Sequence, residues 1–438
     1  MAAINEVEPS KSRESTEWKL GGRTVLFGAL GYGTGPILFL TTASVFIRPT
    51  MKATGWSTSD VLLSPLVTVF LTFLGPLVGR RVDQQGVRRT IMIGLVPYIL
   101  LLILFATLPV NRITFYAVAA GIGIFGAFGY LVPYSRAVAS WFDKGAGKAF
   151  GIVGVGGASM PLLGIPLVTL AIYQIGWQAG YLVLAAFALL VALPAALFGI
   201  QERRVHEEVA DTEEAKSTAT PERTNRLEGA DVRRVLRTPR FWTFSLHIFF
   251  IGGAASAFLS NMQPIMLDGG LDVARATTLT TLFTAGIICG RLGAGVLMDL
   301  VNRYWVAVPV FVVSMLGALT LANAEVFPVA VIAVAALLTA SSQGAEGDIG
   351  AYFILEEYGR DDFGTLYATA GVFGGAGAMV VPYVFSYIRD VSGGYRAAAY
   401  LGAALYAAGA LAIIVFGALG RSEARPTFLP SAEPDVHD

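Results

Sequence analysis

Gly79-Arg80-Arg81-Val82-Asp83-Gln84-Gln85-Gly86-Val87-Arg88-Arg89 follows one apolar run of the chain, and Gly290-Arg291-Leu292-Gly293-Ala294-Gly295-Val296-Leu297-Met298-Asp299 closes another in the second half. In each, an apolar helix runs into an aspartate, then a tight turn with basic residues. A short Gly/Asp/Arg string recurs easily by chance. Recurrence at the same place in two halves of a chain does not, so the meaning of the match depends on where the apolar runs fall.

The chain has 438 residues, 55% hydrophobic and 14% charged, with a mean hydropathy of +0.63. Soluble domains carry about 25% charged residues. That deficit, with recurring apolar runs of roughly 20 residues, predicts a polytopic membrane protein. The runs are 24–47, 58–79, 90–109, 113–142, 148–173 and 178–199, then 241–266, 274–299, 304–323, 326–358, 364–388 and 395–418. Six spans, a polar gap and six more give 12 transmembrane helices, with the repeated string after spans two and eight. The first run lacks a small-residue cleavage signature and is expected to be a retained helix. Residues 201–240, rich in Glu, Arg, Lys and Thr, suit a solvated linker between bundles 24–200 and 241–418, flanked by tails 1–23 and 419–438.

An even number of spans puts both tails on one side. The tails, linker and loops of that side hold 23 Lys and Arg, against 6 in the opposite loops. The positive-inside rule therefore predicts cytoplasmic tails and linker, in a multi-pass protein of the plasma (inner) membrane. A formal net charge of zero gives no reason to expect nucleic acid. The single Cys289 removes intramolecular disulfides and cysteine metal clusters, and three scattered His supply no metal site. Gly151–Gly157 and Gly371–Gly377 are not phosphate loops, because no Lys-Ser/Thr follows and both lie within spans five and eleven. Small residues there let helices approach closely. No cofactor is expected, and no nucleophile–base pair in the spans suggests an enzyme.

With its string after spans two and eight, the chain resembles the major facilitator superfamily along essentially its whole length. The resemblance implies an all-α integral membrane fold of two pseudo-symmetric six-helix bundles that rock about a central cavity lined by spans one, four, seven and ten. It also implies that Asp83 with Arg88 and Arg89 latches the cytoplasmic face, and that the protein works as a monomer in the bilayer. Gly55-Trp56-Ser57, the stretch Trp141-Phe142-Asp143-Lys144-Gly145-Ala146-Gly147-Lys148-Ala149-Phe150-Gly151 and Arg291 inside span eight look like the monocarboxylate porter and oxalate/formate antiporter branch. That likeness implies small organic anions and protons as partners. The acidic-Gly-Trp signature of that branch is absent from span one, Ile287 stands where animal members carry an acid, and span eleven has no lysine. These differences argue against dicarboxylate exchange and against a copied proton site.

An ionisable side chain within a membrane is costly and marks function by default. Arg291 lies eight residues before Asp299, roughly 12 Å along the helix. It can bind a substrate carboxylate through two parallel hydrogen bonds, or pair structurally with an acid. Arg136 in span four can be a second anion ligand, half of a cytoplasmic gate, or a snorkelling residue. Glu346 and Asp348 in span ten are about 200° apart on the helix, so they cannot share one face. One faces the cavity or Arg136 and the other a neighbouring helix such as span eight; they are counter-ions to the two arginines, and one can also carry the proton. An unpaired carboxyl in a low-dielectric cavity favours its neutral form. Glu346 lies about 3 Å deeper than Asp348 and is the favoured carrier. Tyr32, Tyr130, Tyr134, Asn261 and Gln263 are further candidates for hydrogen bonds to substrate, with packing as the alternative. His247 reads as a satisfied interfacial histidine. The alternative to an anion symporter is a proton-driven exporter of hydrophobic drugs or metabolites.

Overall fold

The computed structural model describes residues 7–61, 64–107, 111–203 and 232–423. Eleven helices among these are long and apolar enough to cross a membrane. Apolar side chains such as Leu100, Leu170, Leu190 and Val391 point outward, as a lipid-facing surface requires. The twelfth predicted span, 58–79, is present but broken: its described part runs as Ser64–Phe73 and Gly75–Gln85 with a turn at Leu74. Gly75-Pro76 starts the second piece, because proline has no amide hydrogen to continue the ladder but suits a helix's first turn.

Both bundles use the same packing plan. Span one packs on five, two on four, three on four and six; in the second half seven packs on eleven, eight on ten, nine on ten and twelve. Between bundles, span two lies against eleven and span eight against five. The second-half helices Pro239–Asp268, Val273–Leu300, Val329–Tyr358 and Phe363–Ser392 are continuous. The first half is broken beside the interior. Span one divides into Val7–Thr34 and Pro36–Thr54, and span four into Arg112–Ala127 and Leu131–Trp141. The two breaks meet through Gly35 and Gly129: a Cβ on Gly35 would lie 3.3 Å from the Gly129 carbonyl oxygen.

Several predicted boundaries move. The first helix begins by Val7 and not at residue 24. Glu17 accepts the Lys144 and Gly145 amides at 3.1 and 3.2 Å, Glu14 pairs with Lys148 at 2.6 Å, and the Trp18 ring meets Phe142 at 4.9 Å. A charged segment that reads as a tail is thus tied to the loop between spans four and five. Of the linker, residues 204–231 lie outside the described residues, and a helix starts already at Pro239. The last helix reaches Glu423, and residues 424–438 of the expected tail also lie outside.

Candidate functional site

A cavity of about 840 Å³ lies between the bundles, lined from spans one, two, four, five, seven, eight, ten and eleven. It is closed toward the face where the chain passes from one bundle to the other. Two aspartates make that closure. Asp83, at the end of span two, accepts the Gly364 and Thr365 amides at 3.0 and 2.7 Å and the Thr365 hydroxyl at 2.7 Å. Asp299, at the end of span eight, accepts the Gly147 and Lys148 amides at 2.8 and 2.9 Å. Each carboxylate thereby takes orphan donors in the first turn of the other bundle's helix, where the helix dipole also favours negative charge. Arg360 joins Asp143 across the same face at 2.8 Å.

Arg136 belongs to this closure and not to the cavity lining. Its Nε lies 3.2 Å from Asp83 and its Nη1 3.5 Å from Glu202. The sequence reading set Arg136 opposite span ten; the structure turns it toward Asp83 at the end of span two and Glu202 after span six. Arg88 and Arg89, expected to complete the latch, are exposed and form no ion pair with Asp83 here.

At the closed end of the cavity stands Arg291. Its Nε donates to the Gly344 carbonyl at 2.9 Å and lies 3.2 Å from Asp348 Oδ2. The latter contact is an ion pair without hydrogen-bond alignment, since Asp348 Oδ2 has no hydrogen-bond partner. Among the hydrogen bonds of the described residues, none uses the Nη groups of Arg291. The guanidinium lies over Gly154 of span five, where an added Cβ would come within 2.4 Å of Nη1. The glycine is what admits the arginine.

Glu346 also lines the cavity. Its Oε1 rests against Gly252 and Gly374, where added Cβ atoms would lie 2.6 and 3.3 Å away. Among the described residues its carboxylate has neither a hydrogen bond nor an ion pair, whereas Asp348 faces span eight, is buried and is paired. The 200° argument therefore separates the acids as the helix geometry requires.

Tyr32 and Tyr130, at the breaks of spans one and four, line the cavity with ring centroids 5.7 Å apart. Three sequence candidates do not. Tyr134 is fully buried against Gly31, with its hydroxyl unpartnered. Asn261 donates to the Ala257 carbonyl and accepts from the Tyr395 hydroxyl, and Gln263 bonds to Thr277. None of the three is in the cavity wall. His247 is satisfied, as expected, by the Gly409 carbonyl at 2.8 Å, but deep in the core. Among the lining residues that escaped the sequence reading are Tyr367 and Gln343. Tyr367 donates to the Gly347 carbonyl at 3.1 Å. Gln343 has a buried, unpartnered side-chain oxygen; its place one turn before Glu346 was the available signal.

The family model described as Major Facilitator Superfamily matches residues 24–277. The chain is 26% identical over 288 residues to an uncharacterized MFS-type transporter, YcxA, of Bacillus subtilis, covering 64% of this chain and 65% of that one. It is 24% identical over 274 residues to the MFS transporter asaE of Aspergillus flavus, covering 61% and 56%. The matches span less than two thirds of either relative's length. The fold is similar to the E. coli fucose:proton symporter FucP, with TM-score 0.67, 15% identity and coverage of 90% of this chain and 98% of that one. It is also similar to the human organic anion transporter MFSD10, with TM-score 0.64, 14% identity and coverage of 90% and 99%. At such identities these likenesses speak for the fold alone.

Proposed function

We propose that this chain, which belongs to the Major Facilitator Superfamily, is a secondary transporter of monocarboxylates or similar small organic anions, coupled to protons by alternating access. The observation that carries the reading is the uncommitted Nη fork of Arg291 at the closed end of the cavity. A guanidinium fork matches a carboxylate with two parallel, charge-assisted hydrogen bonds. Tyr32 and Tyr130 stand beside it to donate hydroxyl hydrogen bonds.

Glu346 supports proton coupling. It is a carboxyl in the cavity wall that has neither a hydrogen bond nor an ion pair among the described residues. Proton and anion load together, the positive charge of Arg291 being matched by the substrate and Glu346 being neutral. Release of the two aspartates from the opposing helix starts then allows the bundles to rock. Asp348 stays behind as the structural counter-ion of Arg291, and Arg136 serves the gate through Asp83. With tails and linker cytoplasmic, the described state is closed to the cytoplasm, and the protein acts as a monomer in the plasma membrane. The exporter reading retains support from the largely apolar wall.

The test is Glu346→Gln in proteoliposomes. A permanently neutral side chain retains substrate-for-substrate counterflow and loses accumulation driven by a pH gradient. Retention of pH-driven accumulation removes Glu346 as proton carrier.

A further inference from the structure

We infer that the transported anion is an amphipathic monocarboxylate, with one charged head and an apolar body of medium length, and not a two- or three-carbon acid or a dicarboxylate. The inference rests on the anion reading of Arg291 and adds the shape of the substrate.

Two observations carry it. The first is the distribution of charge. Among the described residues, Arg291 is the sole basic residue in the cavity wall, and the sole acid there is the unpaired Glu346. One carboxylate satisfies the fork; a second would find no cation in the wall and would lose its hydration without a charged partner.

The second is the wall. A cavity of about 840 Å³ is of the size that encloses drug-sized ligands, about 300–1,000 Å³. A short acid held at Arg291 would leave most of it to water. Span five rises from the closed face, and Gly154 marks the level of the guanidinium. Leu162 and Ile165 follow on the same span and line the cavity, roughly 12 and 16 Å farther toward its mouth. Nearer the guanidinium, Ile288 sits one turn from Arg291 on its own helix, and Leu131, Val132 and Ile248 add apolar surface. Beyond the polar groups around Arg291, the anion site thus opens onto a mostly apolar path, interrupted by the hydroxyls of Thr41, Thr68, Thr72, Ser256 and Thr284. Each methylene fully buried on such a path gains about 0.8 kcal/mol, which is about fourfold in affinity.

Purified full-length protein is titrated calorimetrically at neutral pH with butyrate, octanoate and suberate, the last having the length of octanoate but two carboxylates. Arg291→Lys serves as the control that separates site binding from partition into detergent. The inference expects octanoate to bind at least about tenfold tighter than butyrate and suberate at least about tenfold weaker than octanoate. Ile165→Ala should weaken octanoate severalfold and leave butyrate unchanged. Butyrate binding as tightly as octanoate overturns the inference while leaving the anion site standing, and so does suberate matching octanoate. Binding of none of the three overturns the anion reading itself, and this inference with it.

Discussion

Spans two and eleven meet as spans eight and five do, yet only span eight carries an arginine two turns before its aspartate. In both, an aspartate (Asp83 or Asp299) caps the opposing helix, and four residues earlier a glycine (Gly79 or Gly295) lies against the glycine that helix presents (Gly364 or Gly147). Eight residues before each aspartate the copies part. The first half has Gly75, whose added Cβ would meet nothing nearer than Ala368 at 3.6 Å. The second has Arg291, filling the space over Gly154. At the place matching Gly154, Gly371 has no neighbour within 4 Å of an added Cβ. The repeat supplies closure twice and charge once, and the charged copy is where the cavity acquires its anion site.

The comparison can be broken most severely at the counter-ion. Asp348→Asn removes the negative partner of a buried guanidinium, a loss of about 3–5 kcal/mol. Thermal unfolding should show a marked drop, with counterflow and pH-driven uptake falling together. Glu346→Gln should cost little stability, because that carboxylate holds no partner. Equal unfolding temperatures for the two variants would mean that the Arg291–Asp348 pair is not what stabilises span ten against span eight.

A smaller effect is expected from matched alanines. Gly154→Ala places a methyl within 2.4 Å of Nη1. It should cost about 1–3 kcal/mol or push the guanidinium aside and weaken anion binding. Gly371→Ala, whose methyl meets no neighbour within 4 Å at the cavity wall, should cost no stability. Similar outcomes at the two positions would erase the asymmetry.

Smallest are the latches. Asp83→Asn and Asp299→Asn each weaken the hold on a helix start by about 1 kcal/mol, roughly fivefold in the balance between states, because Glu202 remains to pair with Arg136 when Asp83 is neutralised. Cysteine labelling from the linker side should rise by a similar factor in both, and Arg88→Ala should leave it unchanged. A large inequality between the two aspartates would show that one latch dominates.

The sequence made the two halves, the spans and the singular position of Arg291 legible, because hydropathy and charge placement encode them directly. The opposite faces of Glu346 and Asp348 followed from helix geometry. Which face looks inward did not. In a membrane both faces of a span are apolar, so nothing in the pattern turned Asn261 and Gln263 away from the cavity or Tyr367 toward it. The partner of Asp83 was equally hidden. Nearby Arg88 and Arg89 offered the obvious charge, whereas the actual donors are backbone amides and Arg136, brought there only by the packing of the bundles. The extension of the first helix to Val7 was masked by its charged residues, whose partners Lys144, Gly145 and Lys148 lie far along the chain.

The central claim is that the fork of Arg291 holds the carboxylate of the substrate. Arg291→Lys keeps the charge and removes the planar fork, so calorimetric titration of the purified variant with octanoate tests it most directly. The account predicts an unfolding temperature near that of the parent and a loss of binding worth about 2–5 kcal/mol. A well-folded Arg291→Lys protein that binds octanoate as tightly as the parent would contradict it.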